Sequence, residues 1–150
     1  VQTTHEESPV RSATMACPAL PTCGLALAES ERYLPGLIDR VEGLLGNAGI
    51  PQEEIIIRMT GCPNGCARPY MAELGLVGNG VNQYQLWLGG TPNLQRLARP
   101  YLDKLPLNDL EKTIEPLLVS WKAAGGRRSF GDHIDKLGDQ EVKALLAASA

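Results

Sequence analysis

Apolar residues recur with a helical period in one stretch of the chain and run continuously in another. From Pro35 onwards they follow a helical spacing that ends near Gly46, Asn47 and Gly49, so the pattern predicts a helix there. Its apolar positions are Leu37, Ile38, Val41, Leu44 and Leu45. Residues 54–59 hold three isoleucines in a row, which is typical of a strand buried on both faces.

A β-hairpin is predicted in the middle of the chain. Two apolar runs, residues 73–78 and 83–89, are separated by Asn-Gly-Val-Asn at 79–82, a sequence rich in turn formers. Alternate residues of the second run share a face, with Tyr84, Leu86 and Leu88 on one side and Gln83, Gln85 and Trp87 on the other. Three prolines interrupt residues 91–107, which we predict to be an extended edge segment.

The C-terminal part of the chain predicts two helices. Asn108 has Glu111 three residues further on, as in a capping box, and an apolar stripe follows until the glycine pair at 125–126. The stripe consists of Leu110, Ile114, Leu117, Leu118 and Trp121. Pro116 lies within it and is expected to kink the helix or to mark its true start. The Ala- and Leu-rich residues 139–149 predict a further helix on the surface.

The N-terminal region is predicted to enter the fold without a helix. Residues 1–11 are polar and form a disordered or extended lead-in, and residues 12–16 form an edge strand or continue it. Prolines exclude a helix over 17–24. The chain begins with Val1 instead of Met, and we expect a cut or processed end and one domain over 12–150. The order of elements predicts an α+β fold, a mixed β-sheet with helices packed against it.

Composition and charge narrow the classes of function. The 150 residues are 43% hydrophobic and 21% charged, as expected for one globular domain. No apolar run approaches the ~18 residues of a membrane span, and the formal charge of −3 gives no reason to expect a nucleic-acid or membrane partner. His5 and His133 lie far apart, and we expect His133 to be structural. The four cysteines are therefore the candidate functional residues.

The cysteines form two pairs with different spacings. Five residues separate Cys17 from Cys23, and three separate Cys62 from Cys66. The second pair directly follows the strand predicted at 54–59, so both pairs are expected in loops at strand ends, where α/β sheets place their sites. Disulfides or core thiols, a structural zinc site and an iron–sulfur cluster are all compatible with this spacing. Spacing alone leaves the three interpretations open.

The residues around the cysteines resemble a known family of enzymes. The segments are A-C-P-A-L-P-T-C at 16–23, R-M-T-G-C-P-N-G-C at 58–66, A-R-P-Y-M-A-E-L-G-L-V-G at 67–78, Y-Q-L-W-L-G-G-T-P-N at 84–93 and S-F-G-D at 129–132. Over roughly residues 12–137 they resemble the sulfite and nitrite reductases that carry sirohaem and a 4Fe–4S cluster. These segments are most similar to the C-terminal domain of ferredoxin-dependent assimilatory sulfite reductases of plants and cyanobacteria. The nitrite reductases of the same family are the second most similar group.

The resemblance implies a cofactor site built on the cysteines. The 4Fe–4S cluster would be bound by Cys17, Cys23, Cys62 and Cys66. Cys66 would also be the axial ligand of the sirohaem, so that one thiolate joins the two metal centres. Asn64 and Arg68 would reach the carboxylates of the sirohaem. The implied activity is the six-electron reduction of sulfite to sulfide with electrons from ferredoxin.

The resemblance also implies that residues 12–150 are one cofactor-binding domain of a larger reductase. The arginines and lysines that bind the anionic substrate in this family lie mainly in an N-terminal half, which is the expected partner together with ferredoxin and sulfite. We expect the fragment to be inactive alone, and either cofactor can be absent from it. The expected location is the cytoplasm, or the plastid stroma for a plant protein. The alternatives are a domain of a ferredoxin-nitrite reductase and a non-enzymatic zinc or metal-binding scaffold.

Overall fold

A five-stranded mixed β-sheet organises the computed structural model, which describes residues 7–51, 53–125 and 128–148. The strands are β1 (Met15–Ala16), β2 (Ile57–Thr60), β3 (Leu74–Gly80), β4 (Gln83–Leu88) and β5 (Arg99–Pro106), which lie side by side in that order. The first three strands are parallel, whereas β3, β4 and β5 pair antiparallel. The predicted α+β fold with a mixed sheet is confirmed.

Helices cover one face of this sheet. They are α1 (Pro9–Ser12), α2 (Leu34–Ala48), α3 (Leu110–Ala123), α4 (Phe130–Leu137) and α5 (Asp139–Ala148), with 3₁₀ turns at Pro69–Met71 and Leu107–Asp109. Met59, Leu76 and Leu86 from the sheet lie in one apolar core with Ile38 of α2 and Trp121 of α3. No helix within the described part of the chain is long and apolar enough to cross a membrane.

The opposite face of the sheet is covered by a loop instead of helices. Residues 61–73 connect the parallel strands β2 and β3, and a Cβ atom on Gly75 of β3 would lie 2.3 Å from the carbonyl oxygen of Pro69. Glycine at 75 therefore lets the loop lie directly on the strand. Next to it, the rings of Tyr70 and Trp87 meet edge to face with their centroids 4.7 Å apart.

The predicted helices are mostly confirmed, with corrections at their ends. Helix α2 runs past Gly46 and Asn47 to Ala48, and Gly49 follows it with a φ of 76°, the left-handed conformation that glycine favours at helix ends. Helix α3 begins after Asp109, so the predicted N-cap at Asn108 is wrong. Pro116 lies inside α3 and does not mark its start.

The C-terminal region contains one helix more than predicted. Residues 130–137 form α4, whose N-cap Ser129 accepts a hydrogen bond from the N–H of Asp132 at 3.2 Å. The predicted tail helix is confirmed as α5, and it buries Val142 and Leu146. The predicted boundary residues at 126 and 149 lie outside the described residues.

The burial of the central strands differs from the prediction. Ile56 and Arg58 are partly exposed and β2 begins at Ile57, so the expectation of a strand buried on both faces over 54–59 is wrong. Strand β3 is the one buried on both faces over its first five residues. It lies between β2 and β4 and is covered by helices on one side and by the 61–73 loop on the other. The hairpin and the edge position of β5 are confirmed.

The lead-in is partly helical. Residues 1–6 lie outside the described residues, and the prediction is wrong at Pro9–Ser12, which forms α1. Ser8 caps this turn by accepting the N–H of Arg11 at 3.2 Å. Arg11 in turn pairs with Glu42 of α2 at 2.8 Å and so holds α1 against that helix. The predicted edge strand is confirmed at Met15–Ala16.

Candidate metal centre

The parallel pairing of β1 with β2 brings the two cysteine pairs to the same edge of the sheet. Ala16 is in register with Met59, and the N–H of Cys17 donates to the carbonyl oxygen of Met59 at 3.1 Å. Cys17 follows the last residue of β1, and Cys62 comes two residues after the end of β2. Residues 17–28, the first cysteine loop, and residues 61–68, the second cysteine loop, therefore start side by side.

Gly61 is the point at which the two loops touch. Its N–H donates to Sγ of Cys17 at 3.3 Å, and its carbonyl oxygen accepts the N–H groups of Leu27 at 2.8 Å and Ala28 at 3.0 Å. A Cβ atom at Gly61 would lie 2.5 Å from Cβ of Ala19 and 2.6 Å from the carbonyl oxygen of Ala28. The close approach of the loops therefore depends on a residue without a side chain at 61.

The four thiols differ in exposure, and all are free. Cys17 and Cys62 are buried, with exposed fractions of 9% and 8%, Cys23 is partly exposed and Cys66 is exposed. Cys17 packs with Ala19 and Ala67 in a small apolar cluster separate from the main core. This cluster joins the two loops, because Ala67 belongs to the second and the other two residues to the first.

The chemistry of the donor set fits an iron–sulfur cluster. Among the described residues, no group of three or more His, Cys, Asp or Glu side chains could hold a metal ion. Four thiols on two adjoining loops are nevertheless the ligands that iron–sulfur clusters take, and a backbone N–H directed at a ligand sulfur tunes such centres. The four-cysteine assignment stays a prediction.

Asn64 and Arg68 are both exposed on the second cysteine loop. Asn64 and Gly65 form a turn, in which Gly65 has a φ of 67° and its N–H donates to the carbonyl oxygen of Cys62 at 3.3 Å. Arg68 also lies in the left-handed region, with a φ of 55°. It forms no ion pair with any described residue. The predicted contacts of both side chains with sirohaem stay predictions.

Glu73 is a buried carboxylate that the sequence reasoning did not select. It is 1% exposed, and its two oxygens accept the N–H of Gly131 at 2.8 Å and the N–H of Ile56 at 2.9 Å. Burial raises the pKa of this carboxyl, and the two N–H donors oppose that shift. Glu73 thus connects the end of the 61–73 loop, the approach to β2 and the first turn of α4.

His133 has the structural surroundings expected for it. The ring is 6% exposed, and its Nε2 lies 3.1 Å from Oγ of Ser120 on α3. Burial lowers the pKa of His133, so the neutral ring is favoured. It lies on the helical side of the molecule, away from the cysteine loops.

Arg58 is the second residue that the sequence reasoning missed. Only its place in the motif R-M-T-G-C-P-N-G-C was noted, but it is a charged residue between Ile57 and Met59, which are buried in the core. The side-chain period of two in a strand therefore places Arg58 on the opposite face, the face of the cysteine loops. That alternation was the available signal.

Comparison with known proteins gives a consistent set of relatives. No protein-family model matches the chain. Over 125 residues it is 58% identical to the sulfite reductase (ferredoxin) of Synechococcus elongatus. This alignment covers 83% of this chain and 20% of that protein. Over 138 residues it is 46% identical to the sulfite reductase (NADPH) hemoprotein beta-component of Methylobacterium radiotolerans, covering 90% of this chain and 22% of that protein.

The chain spans about a fifth of the length of these curated relatives. A solved structure, the Mycobacterium tuberculosis NirA protein, has the same fold over 91% of this chain and 27% of that chain, with a TM-score of 0.77. Sequence identity to it is 24%, so this likeness concerns the fold.

Proposed function

We propose that this chain, which belongs to the sulfite and nitrite reductase family by homology over most of its length, is a C-terminal cofactor-binding segment of a sulfite reductase. The observation that carries the proposal is the contact between the cysteine loops, where the N–H of Gly61 reaches Sγ of Cys17. This contact joins the two halves of the donor set at one edge of the sheet.

In this proposal the four cysteines hold a 4Fe–4S cluster, and Cys66 is shared with the iron of a sirohaem. Cys66 is the exposed member of the set, so its sulfur is accessible to a second metal centre, whereas Cys17 and Cys62 are buried. When bound, the two cofactors would pass on, one at a time, the six electrons from ferredoxin that take sulfur from +4 in sulfite to −2 in sulfide. The N–H of Gly61 stabilises negative charge on the sulfur of Cys17.

The remaining roles follow from exposure and charge. Asn64 and Arg68, both exposed on the second cysteine loop, bind carboxylates of the sirohaem. Sulfite is the proposed substrate, and we place further groups that bind it in the rest of the reductase, of which the chain spans about a fifth. Ferredoxin is the proposed electron donor, and the cytoplasm or the plastid stroma is the proposed location.

Reconstitution tests the cofactor assignment directly. The chain is incubated anaerobically with iron and sulfide, desalted and analysed for iron and acid-labile sulfide. We expect about four of each per chain. Bound zinc without sulfide, about one ion per chain, would show that the site is a structural metal site and would overturn the proposal.

Two variants sharpen this experiment. Cys66→Ser should lower iron incorporation in the chain, and in the complete reductase it should abolish the coupling between cluster and sirohaem. Thr22→Ala, which changes an exposed hydroxyl beside Cys23 and keeps every thiol, is the matched control and should incorporate iron normally. Full sulfite reduction by the Cys66→Ser reductase would disprove the bridging role. Rates with sulfite and nitrite on the complete reductase then decide between the two substrates.

A further inference from the structure

Arg58 carries a buried donor that has no hydrogen-bond partner in the described part of the chain. Its Nε is inaccessible to solvent and forms no hydrogen bond, and no ion pair of Arg58 occurs within residues 7–51, 53–125 and 128–148. The Nε of Arg40 is comparably buried, but it lies in an ion pair with Glu111. Buried polar groups in folded proteins are nearly always paired, so an unpaired guanidinium nitrogen points to a ligand.

The surroundings of Arg58 place it beside the cysteine loops. In the sheet it is in register with Met15 of β1 on one side and Gly75 of β3 on the other. The 61–73 loop crosses the strand at Gly75, where Pro69 takes the space of a side chain. Cys17 follows Met15 by two residues on the same face, a distance of about 7 Å along the strand.

The cysteine loops themselves carry few charged side chains. Residues 17–28 contain no charged side chain, and residues 60–72 contain one, Arg68. Ion pairs in the described residues hold other arginines, namely Arg11, Arg32, Arg40, Arg96 and Arg99. Arg58 and Arg68, the two arginines at the cysteine loops, form no ion pair with a described residue.

We propose that Arg58 binds an oxyanion ligand at the cysteine loops, through its planar pair of N–H donors. The ligand is a carboxylate of a tetrapyrrole or a small inorganic oxyanion such as sulfite, which present the same paired oxygens to a guanidinium. This inference rests on the proposed function, which supplies both ligands. Arg58 differs from Arg68 in lying in a strand of the sheet, so its position is held before the ligand arrives.

Binding measurements on the 150-residue chain separate the two sources. Uroporphyrin, a tetrapyrrole with eight carboxylates, is titrated by fluorescence, and sodium sulfite by calorimetry. Arg58→Gln should weaken binding of one probe about tenfold to a hundredfold, and Arg58→Lys should recover part of it, because lysine keeps the charge without the planar fork. Loss confined to uroporphyrin identifies a cofactor carboxylate, and loss confined to sulfite identifies the inorganic anion.

The control is Lys112→Gln, which removes one positive charge from an exposed position of α3 on the helical side. It should bind both probes as the wild type does. The inference is overturned if Arg58→Gln binds as tightly as Lys112→Gln, or if the wild type binds neither probe.

The melting temperature distinguishes a ligand-binding arginine from one that stabilises the fold. Arg58→Met keeps the length of the side chain and removes the unpaired buried donor, so the ligand-free variant should melt at the same or a higher temperature than the wild type. A lower melting temperature would show that Arg58 stabilises the fold and would contradict a ligand-binding role. Iron and sulfide analysis separates the proposed cluster from the proposed oxyanion site. If the chain forms the cluster but its binding of both probes is unchanged by the Arg58 substitutions, only the inference about Arg58 is refuted.

Discussion

Replacing Glu73 with alanine should destabilise the fold more than almost any other single change outside the apolar core. The carboxylate accepts two backbone N–H groups, from Gly131 and Ile56, at 2.8 and 2.9 Å. Both donors lose their acceptor in Glu73→Ala, and an unpaired buried N–H costs about 1–3 kcal/mol, so the expected loss is about 2–6 kcal/mol. Set against a total stability of about 5–15 kcal/mol, this is a large fraction.

Denaturant titration followed by tryptophan fluorescence measures this loss. The matched control is Glu54→Ala, which removes a neighbouring glutamate that is exposed and should change stability by less than about 0.5 kcal/mol. Hydrogen exchange adds a local readout, because the amides of Ile56 and Gly131 should lose protection in the Glu73 variant. Equal stability of the two variants, with both amides still protected, would refute the reasoning.

The ionisation of Glu73 adds a dependence on pH. Burial raises the pKa of this carboxyl in the folded chain, so the folded state holds its proton to a higher pH than the unfolded state does. Stability contributed by Glu73 is therefore present below the ordinary carboxyl pKa and declines as pH rises through the raised value. The glutamine in Glu73→Gln does not titrate, so its contribution shows no such decline. The excess of the wild type's free energy of unfolding over that of Glu73→Gln should therefore shrink as pH rises.

Two further predictions concern glycines with opposite surroundings. Gly61→Ala places a Cβ atom 2.5 Å from Cβ of Ala19 and should therefore separate the cysteine loops. We expect less iron incorporation and a free energy of unfolding, measured by urea titration, that is lower by about 1–3 kcal/mol. Wild-type values for both quantities would contradict the contact. Gly43→Ala in α2 meets nothing within 4 Å and should raise stability by about 0.5–1 kcal/mol in thermal melting, and a decrease would show that Gly43 has an unrecognised packing role.

Local patterns predicted the elements whose signals are long or chemically distinct. Helix α2 and the β3–β4 hairpin follow from an apolar stripe of helical period and from turn-forming residues between two alternating runs. Helix α4 was missed because its eight residues give barely two turns of periodicity. Helix α1 is shorter still, and it is held by the cap at Ser8 and by the ion pair between Arg11 and Glu42.

Burial of the strands could not be predicted in the same way. Three consecutive isoleucines suggested a strand buried on both faces, yet β2 leaves Arg58 partly exposed and β3 is the strand that is covered on both sides. Burial depends on which neighbours a strand acquires and on what crosses its outer face. For β3 these are β2, β4 and the loop at Pro69, and the contacts involve residues that are remote in sequence.

The sequence by itself determined the chemistry available to this protein: four cysteines in proline- and glycine-rich loops, few histidines, and a resemblance to the sulfite and nitrite reductases that its relatives support. Only the tertiary structure decided how these groups meet. Parallel pairing of β1 with β2 places Cys17 against Gly61, 44 residues away, and Arg58, whose Nε has no hydrogen-bond partner among the described residues, lies on the same face. The physical reason is that side-chain periodicity assigns a residue to a face, whereas strand order and the packing of the loops decide what lies opposite it.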